Sequence, residues 1–465
     1  MSKKIFVLFP DGVGLRNFAF TNFKEIGEDL GFEVLYWNNS IFPLKDKLDY
    51  DEVVIENRSI HPKTGTLNRA RKRVELALSK KRFNDNVYPT YRFPLSFKTL
   101  KATLKSLFVK YHEVTRATPK GWQSLMDAMY TAERSTQRYK DCKAQLEEHQ
   151  PDLVFCTTQR STQAIAPMLA AQDLGIPTVC WVYSWDNVPK GMSTIEADHY
   201  IVWSQLMKDE LLKYYPKTNP NQITITGTPQ FEPHYDTKLI QTRDQFFSDH
   251  NLDIDKRYIC FSGDDETTSP LDQFYIEDVA KAVRQLNTEG YNLGIIFRKV
   301  PVDFSGRYDE VLKSYANEII AIDPLWEPMG NQWNTVMPTK EDFKLLVNTC
   351  HHSDLVVNIC SSMVFDFAIH DKPCIYPNYE QPQLKKGVRD IGQNYNYVHF
   401  RTMPKDAVVW ALNKAEIYKG IKSVLDGAVN PAPIAKEWFK VINRHPCNLA
   451  SERIWEALKT FMIEN

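Results

Sequence analysis

The stretch LVVNICSSMVFDFAIHDKPCIYPNYE, residues 355–380, decides the fold. An apolar, β-branched run ends on Ser361-Ser362, a short amphipathic segment follows, and a second apolar run, CIYP, closes at Pro377. Apolar runs this short read as strands buried on both faces. Strand, turn, helix and strand in one span make the repeating unit of a parallel sheet. A strand that ends in Ser-Ser and enters a helix presents hydroxyls and free backbone N–H groups, which suit a phosphate. Asp366, four residues past Ser362, can accept bonds from a ribose diol or stand as a charge near the helix start. Either serine can instead be an N-cap.

The same rhythm runs along the chain. Apolar runs at 5–9, 34–37, 52–56, 153–158, 178–184, 200–203 and 223–227 are followed by a second set at 258–263, 293–298, 319–323, 355–360 and 374–377. Helical periodicity lies between them, as in TQAIAPMLAAQDLG, where Gly175 stops a helix before Pro177. The polar segment TPQFEPHYDTKLIQTRDQFFSDHNLDIDKR separates the two sets. The chain of 465 residues therefore reads as α/β, with two doubly wound domains facing a cleft. The expected boundaries are 1–240, with a basic helical insertion at about 65–120, then 255–445, and a closing helix over 446–465.

Composition narrows the function classes. Hydrophobic content of 43% with 25% charged residues is that of a globular protein. No run approaches the roughly 18 apolar residues that a bilayer crossing needs. The opening MSKKIFVLFPDG reads as a first strand, too short in its apolar part for a signal peptide. Eight scattered cysteines without a CxxC pair suit buried free thiols in a reducing cytosol. Net charge is −1, yet residues 69–120 hold 14 Lys or Arg against Glu75, Asp85 and Glu113. Within them, Leu100, Leu104, Leu107 and Phe108 alternate with lysines at helical spacing. Such a stretch can lie on anionic lipid or be a solvated face. No nucleic-acid-binding motif accompanies the charge, so a nucleic acid is not an expected partner.

Ligands of open α/β sheets bind beyond the carboxyl ends of the strands. There the chain places PDGVGLRNF, SWDNVPKG, GDDETTSP, RKVP and SSMVFDF. Glycines, hydroxyls, carboxylates and the adjacent cations Arg298 and Lys299 are expected to converge. Asn17 occupies the third glycine position of a GxGxxG pattern begun by Gly12 and Gly14, which argues against a dinucleotide fingerprint.

The two-domain pattern resembles the GT-B glycosyltransferases of bacterial surface-polysaccharide synthesis. NICSSMVFDFAIHDKPCIYPNYE resembles their nucleotide-binding strand–loop–helix, and also that of the CDP-glycerol and CDP-ribitol polymerases. ADHYIVWSQLMKDELLKYYP…ITITGTPQFEPH is similar to the end of the N-terminal GT-B domain. ASERIWEALKTFMIEN suits a closing helix that returns to that domain. The chain departs from the pattern at RKVP, with Val300 where many relatives carry the histidine of a His-Pro pair.

By that resemblance Ser361, Ser362 and Asp366 bind donor phosphate and ribose, Arg298 and Lys299 are counter-charges, and the amides around Gly263 form a second anion site. The catalytic base is Asp11 or Asp186. Gly12, Gly14, Trp185, Asn187 and Lys190 lie on the acceptor side. No metal and no cofactor are expected; His351-His352, being adjacent, point apart in a helix. The expected activity is transfer of a sugar from a nucleotide sugar to a glycan or lipid-linked acceptor. A UDP-linked donor ranks ahead of CMP-, CDP- or GDP-linked ones. The expected location is the cytoplasm, at the inner face of the membrane if residues 69–120 dock there. Alternatives are a sugar-nucleotide 2-epimerase, which needs acid–base carboxylates and a histidine, a CDP-polyol phosphotransferase, and a non-catalytic sugar-nucleotide sensor.

Overall fold

The structure, a computed structural model, describes residues 2–329, 335–385 and 387–464, so the last residue of the expected closing helix lies outside the described residues. The chain divides into a first unit, Met1–Gln230 with Ile442–Asn465, and a second unit, Phe231–Val441.

In the first unit, β1 (Lys4–Phe9), β2 (Glu33–Asn38), β3 (Glu52–Val54), β4 (Leu153–Cys156), β5 (Thr178–Trp181), β6 (His199–Val202) and β7 (Ile223–Ile225) form one sheet. Its order is β3-β2-β1-β4-β5-β6-β7, and every pairing is parallel. Ile5 to Phe9 are all fully buried, as strands covered on both faces require.

Between β3 and β4 the basic insertion folds as helices Thr64–Phe83, Leu100–Thr115, Pro119–Arg134 and Gln137–His149. Thr99, Thr118 and Thr136 start the last three by accepting bonds from the amides of Ala102, Gly121 and Tyr139. Helix Ala450–Glu464 belongs to this unit. Trp455 stacks on Phe23 and Phe32 with ring centroids 4.8 and 5.3 Å away, and its indole donates to the Phe23 carbonyl. Gly27 makes that approach possible, because a Cβ there would lie 2.2 Å from the Trp455 ring.

In the second unit, β8 (Arg257–Ser262), β9 (Leu293–Arg298) and β10 (Ile319–Ala321) lead to the antiparallel pair β11 (Trp326–Pro328) and β12 (Val336–Pro338). Then come β13 (Leu355–Val357), β14 (Cys374–Pro377) and β15 (Val409–Ala411). Six of these make a parallel sheet of order β10-β9-β8-β13-β14-β15. Its core runs from Ile259, Phe261 and Ile295 through Val357 and Ile375 to Ile421. The segment read as an interdomain spacer belongs to this unit from Phe231 on, and Phe246 and Phe247 pack with Tyr258 and Ile296.

All twelve apolar runs read from the sequence are strands. The additional strands are short: β11 and β12 carry Pro328 and Pro338, and β15 is a three-residue edge. Several runs overshoot the ladder. LVFCTT leaves it after Cys156, TVCWVYS after Trp181 and LVVNIC after Val357. None of the eight cysteines is bridged.

Candidate functional site

Strand order locates the place to look in each unit. In the first, the chain winds from β1 outward to β3 and then reverses to β4, so the switch point lies between β1 and β4. In the second it lies between β8 and β13. Ligands of doubly wound sheets bind beyond the carboxyl ends of the two strands at such a point.

At the first switch point Asp11 caps the turn Gly12–Gly14, its Oδ1 accepting the Val13 amide at 3.1 Å. Ser161, from the loop after β4, also hydrogen-bonds this carboxyl. Burial pushes the Asp11 carboxyl above the usual range, against the pull of Arg160. Gly14 lets the two loops touch, since a Cβ there would sit 2.5 Å from Thr157 Oγ1. The loop after β5 is tied in as well: the Tyr183 amide donates to Gln159 Oε1 at 3.0 Å, and Gln159 Nε2 donates to Asn187.

Asp186 differs from Asp11. It pairs with Lys190, and Asn187 Nδ2 donates to it at 2.7 Å. Trp185, placed on the acceptor side from the sequence, is buried at 6% exposure, which leaves little of its ring open to a ligand. Nearby on helix Gln205–Tyr214, Glu210 is buried and its Oε2 has no hydrogen-bond partner among the described residues. Burial first, and then Asp186 and Asp209 against the pull of Lys213, push its carboxyl up to about 8.

At the second switch point the loop after β8 is organised around Asp265. Its Oδ1 accepts the amides of Thr267 and Thr268 at 2.7 and 3.2 Å. Burial alone would raise this carboxyl, but the bonds from Thr267 and Thr268 hold it below its usual range. The neighbouring Asp264 goes the other way, pushed well up by burial and by the charges of Asp265 and Asp272. Burial also raises Asp272, which accepts the Tyr308 hydroxyl at 2.7 Å. Arg307 braces the cluster, donating to Asp303 at 2.8 Å, to the Ser269 carbonyl at 2.6 Å and to the Asp264 carbonyl.

Beyond β13, Cys360 takes a left-handed φ of 55°, unusual for a residue with a Cβ. This turn aims Ser361 and Ser362 past the strand end. Ser361 Oγ accepts the Met363 amide at 3.3 Å, while the Ser361 and Ser362 amides make no hydrogen bond among the described residues.

Three expectations need correction. The Gly263 amide is not an open anion donor, because it continues the β8–β9 ladder by donating to the Arg298 carbonyl at 2.8 Å. Arg298 is not a free counter-charge. Its Nη2 lies 2.8 Å from both oxygens of Asp342, and both side chains are buried. Asp366 does not face a ribose: it is buried, with Oδ1 2.9 Å from His234 Nε2, while His234 Nδ1 lies 3.0 Å from His370 Nε2. Burial, reinforced by His234, lowers the His370 imidazole to about 3. Lys299 is half-exposed and pairs with Asp323 at 3.1 Å.

Sequence reasoning missed Arg160, Ser161, Glu210, Asp272, Arg307 and Tyr308. The hydrophilic run TTQRST directly after LVFC was the available signal for the first two. Among the described residues no three His, Cys, Asp or Glu side chains group so as to hold a metal ion.

No protein-family model and no curated protein matches this sequence. Solved structures do match along the whole chain. A protein assigned as a UDP-N-acetylglucosamine 2-epimerase from Listeria monocytogenes superposes with a TM-score of 0.57 at 12% identity, covering 100% of this chain and 98% of the other. MnaA of S. aureus, solved with UDP, gives 0.53 at 12% identity, with 99% and 97% covered. A glycosyltransferase from Rickettsia africae gives 0.51 at 11% identity, with 100% and 99% covered. The fold is thus of the GT-B type, two Rossmann-like doubly wound α/β domains. The expectation of a surface-glycan glycosyltransferase is corrected, because the proteins sharing this fold are mostly UDP-N-acetylglucosamine 2-epimerases.

Proposed function

We propose that this chain is a sugar-nucleotide enzyme of the 2-epimerase kind, binding a nucleoside-diphosphate sugar and inverting carbon 2 of the sugar. UDP ranks first as the nucleotide, ahead of CDP, CMP and GDP, since MnaA of the same fold was solved with UDP. One observation carries the reading: at the second switch point, adjacent carboxyl groups beyond β8 are driven apart in proton affinity, and beyond β13 the Ser361 and Ser362 amides make no hydrogen bond among the described residues.

Inverting a C–H centre removes a proton from one face and delivers one to the other, so the site must hold one group ionised and another protonated. In this reading Asp265, whose carboxyl is shifted down, serves as the base, and Asp264, whose carboxyl is shifted up, serves as the acid. The Ser361 and Ser362 amides and hydroxyls take the diphosphate oxygens, where negative charge grows if the bond to carbon 1 loosens. No resident cofactor is part of this proposal.

The test is proton NMR of UDP-N-acetylglucosamine in heavy water with the purified chain. Deuterium should enter at carbon 2 as the epimer appears, and Asp264→Asn should stop this while UDP binding persists. A wild-type chain that binds UDP but exchanges no carbon-2 proton in any UDP-, GDP-, CMP- or CDP-linked sugar would end the epimerase reading and leave a binding protein. CDP-glycerol belongs in the same panel, because the SSMVFDF resemblance extends to polyol-phosphate polymerases. A melting-temperature rise with CDP-glycerol alone would move the assignment there.

A further inference from the structure

Helix Leu100–Thr115 is turned the wrong way for a globular protein. The face it buries carries Ser106, Val109, His112 and Glu113. Ser106 Oγ donates to the Ser96 carbonyl at 2.7 Å, and Glu113 pairs with Arg73 at 2.7 Å and Arg92 at 3.1 Å. The face it exposes carries Leu100, Leu104, Leu107, Tyr111 and Val114, at intervals of four and three residues, with Leu100 78% and Val114 68% exposed. Phe93 and Phe97, in the segment leading to the helix, are also exposed. A stripe this long is unusual on a protein that keeps its apolar surface in small pieces. Exposed Lys98, Lys101 and Lys105 flank it and have no ion-pair partner among the described residues.

We propose that this face docks on an anionic lipid bilayer, the helix lying flat with its apolar stripe among the headgroups and its lysines on lipid phosphates. Three observations select this occupant. The helix is amphipathic with cations along the apolar stripe, the arrangement that binds charged interfaces. At 16 residues, about 24 Å long, it is too short to span a membrane, and no helix of the described residues is long and apolar enough to do so. A second copy of the chain would instead meet this stripe with lysines facing lysines, because the helix's single acid, Glu113, is buried and already paired.

The experiment is cosedimentation of the full chain with phosphatidylcholine vesicles, with and without phosphatidylglycerol, at low and high salt. Binding should require the anionic lipid and fall steeply as salt screens it. Replacing Lys101 or Lys105 by Gln should each weaken partitioning about fivefold. Leu104→Asp with Leu107→Asp should release the protein, more than tenfold per leucine. These side chains are exposed, so an unchanged melting temperature verifies that the variants fold. Equal partitioning to neutral and anionic vesicles, or none to either, overturns the proposal, as does retained binding by the double leucine variant. A dimer in sedimentation velocity that the same variant converts to monomer, without vesicle binding, would show that a second copy covers the stripe.

Discussion

Replacing Arg298 by Met tests whether the strand-end cation serves the fold or a ligand. Asp342 is buried at 3% exposure and holds four donor contacts: two from Arg298 Nη2 at 2.8 Å, the Leu325 amide at 2.9 Å and the Trp326 indole at 2.8 Å. Removing the guanidinium takes the first two away from a buried carboxylate. Breaking a buried ion pair from one side costs about 3–5 kcal/mol, and the Leu325 and Trp326 donors that stay in place put the expected loss near the lower end, about 3 kcal/mol. Asp342→Asn removes the charge but keeps one acceptor, so adding it to Arg298→Met should recover much of the loss. The coupling in this double-mutant cycle should exceed about 1 kcal/mol. Urea denaturation measures the stability, and calorimetry with UDP measures the ligand. If Arg298→Met left stability within about 0.5 kcal/mol while UDP affinity fell more than tenfold, the guanidinium would belong to the ligand and the ion-pair reasoning would be refuted.

Other outcomes are equally specific. Glu210 keeps its proton in the folded chain up to about pH 8, whereas the unfolded chain releases it near 4.5, so folding weakens as pH rises between those values and levels off above them. Glu210→Gln should therefore gain stability over wild type through that window, by up to roughly 4 kcal/mol, and a gain independent of pH in thermal melts would contradict the assignment. Asp11→Asn preserves the acceptor for the Val13 amide and removes a carboxyl that burial raises, so the variant should gain stability over wild type as pH rises through the carboxylate range and above; a difference independent of pH in thermal melts would contradict the burial of this carboxyl. Gly27→Ala should lower stability by about 1–3 kcal/mol through the clash with Trp455, and Trp455→Leu should rescue part of it in the double variant; strictly additive losses would deny the contact.

The sheets were legible because parallel strands covered on both faces leave unbroken apolar runs, and Ile5–Phe9 or Leu293–Arg298 can hardly be read otherwise. β15 was illegible for the opposite reason, since three residues, two half-covered and one buried, carry no periodicity. Ser361 and Ser362 were singled out by position, and they lie beyond β13 at the start of helix Met363–Ile369. Asp366 was misread because its partner, His234, stands 132 residues away, and nothing near Asp366 announces a histidine. Arg298 was misread likewise: a residue type suggests a ligand, while burial and a distant carboxylate decide its use. Asp264 and Asp265 lay in a loop noted for its composition, but the divergence of their proton affinities depends on burial, on the Asp272 carboxyl, and on bonds from Thr267 and Thr268 that composition does not announce. Transfer and epimerisation were not separable by the two-domain pattern, because one frame hosts both chemistries.

The place of Trp455 has a consequence for the order in which a ribosome can finish this molecule. Phe23 and the notch at Gly27 emerge early, but the indole that fills them is 432 residues downstream of the carbonyl it binds. Until it arrives, the nascent first unit displays an aromatic cavity, whereas Phe231–Val441 is an uninterrupted piece that can close as soon as it leaves the exit tunnel. The strands of the first unit all precede the second, but the helix that completes it is made last. Translation that stalls after residue 441 releases a chain with a finished second unit and an unsealed first one, and that sticky aromatic surface is where chaperones would have to act.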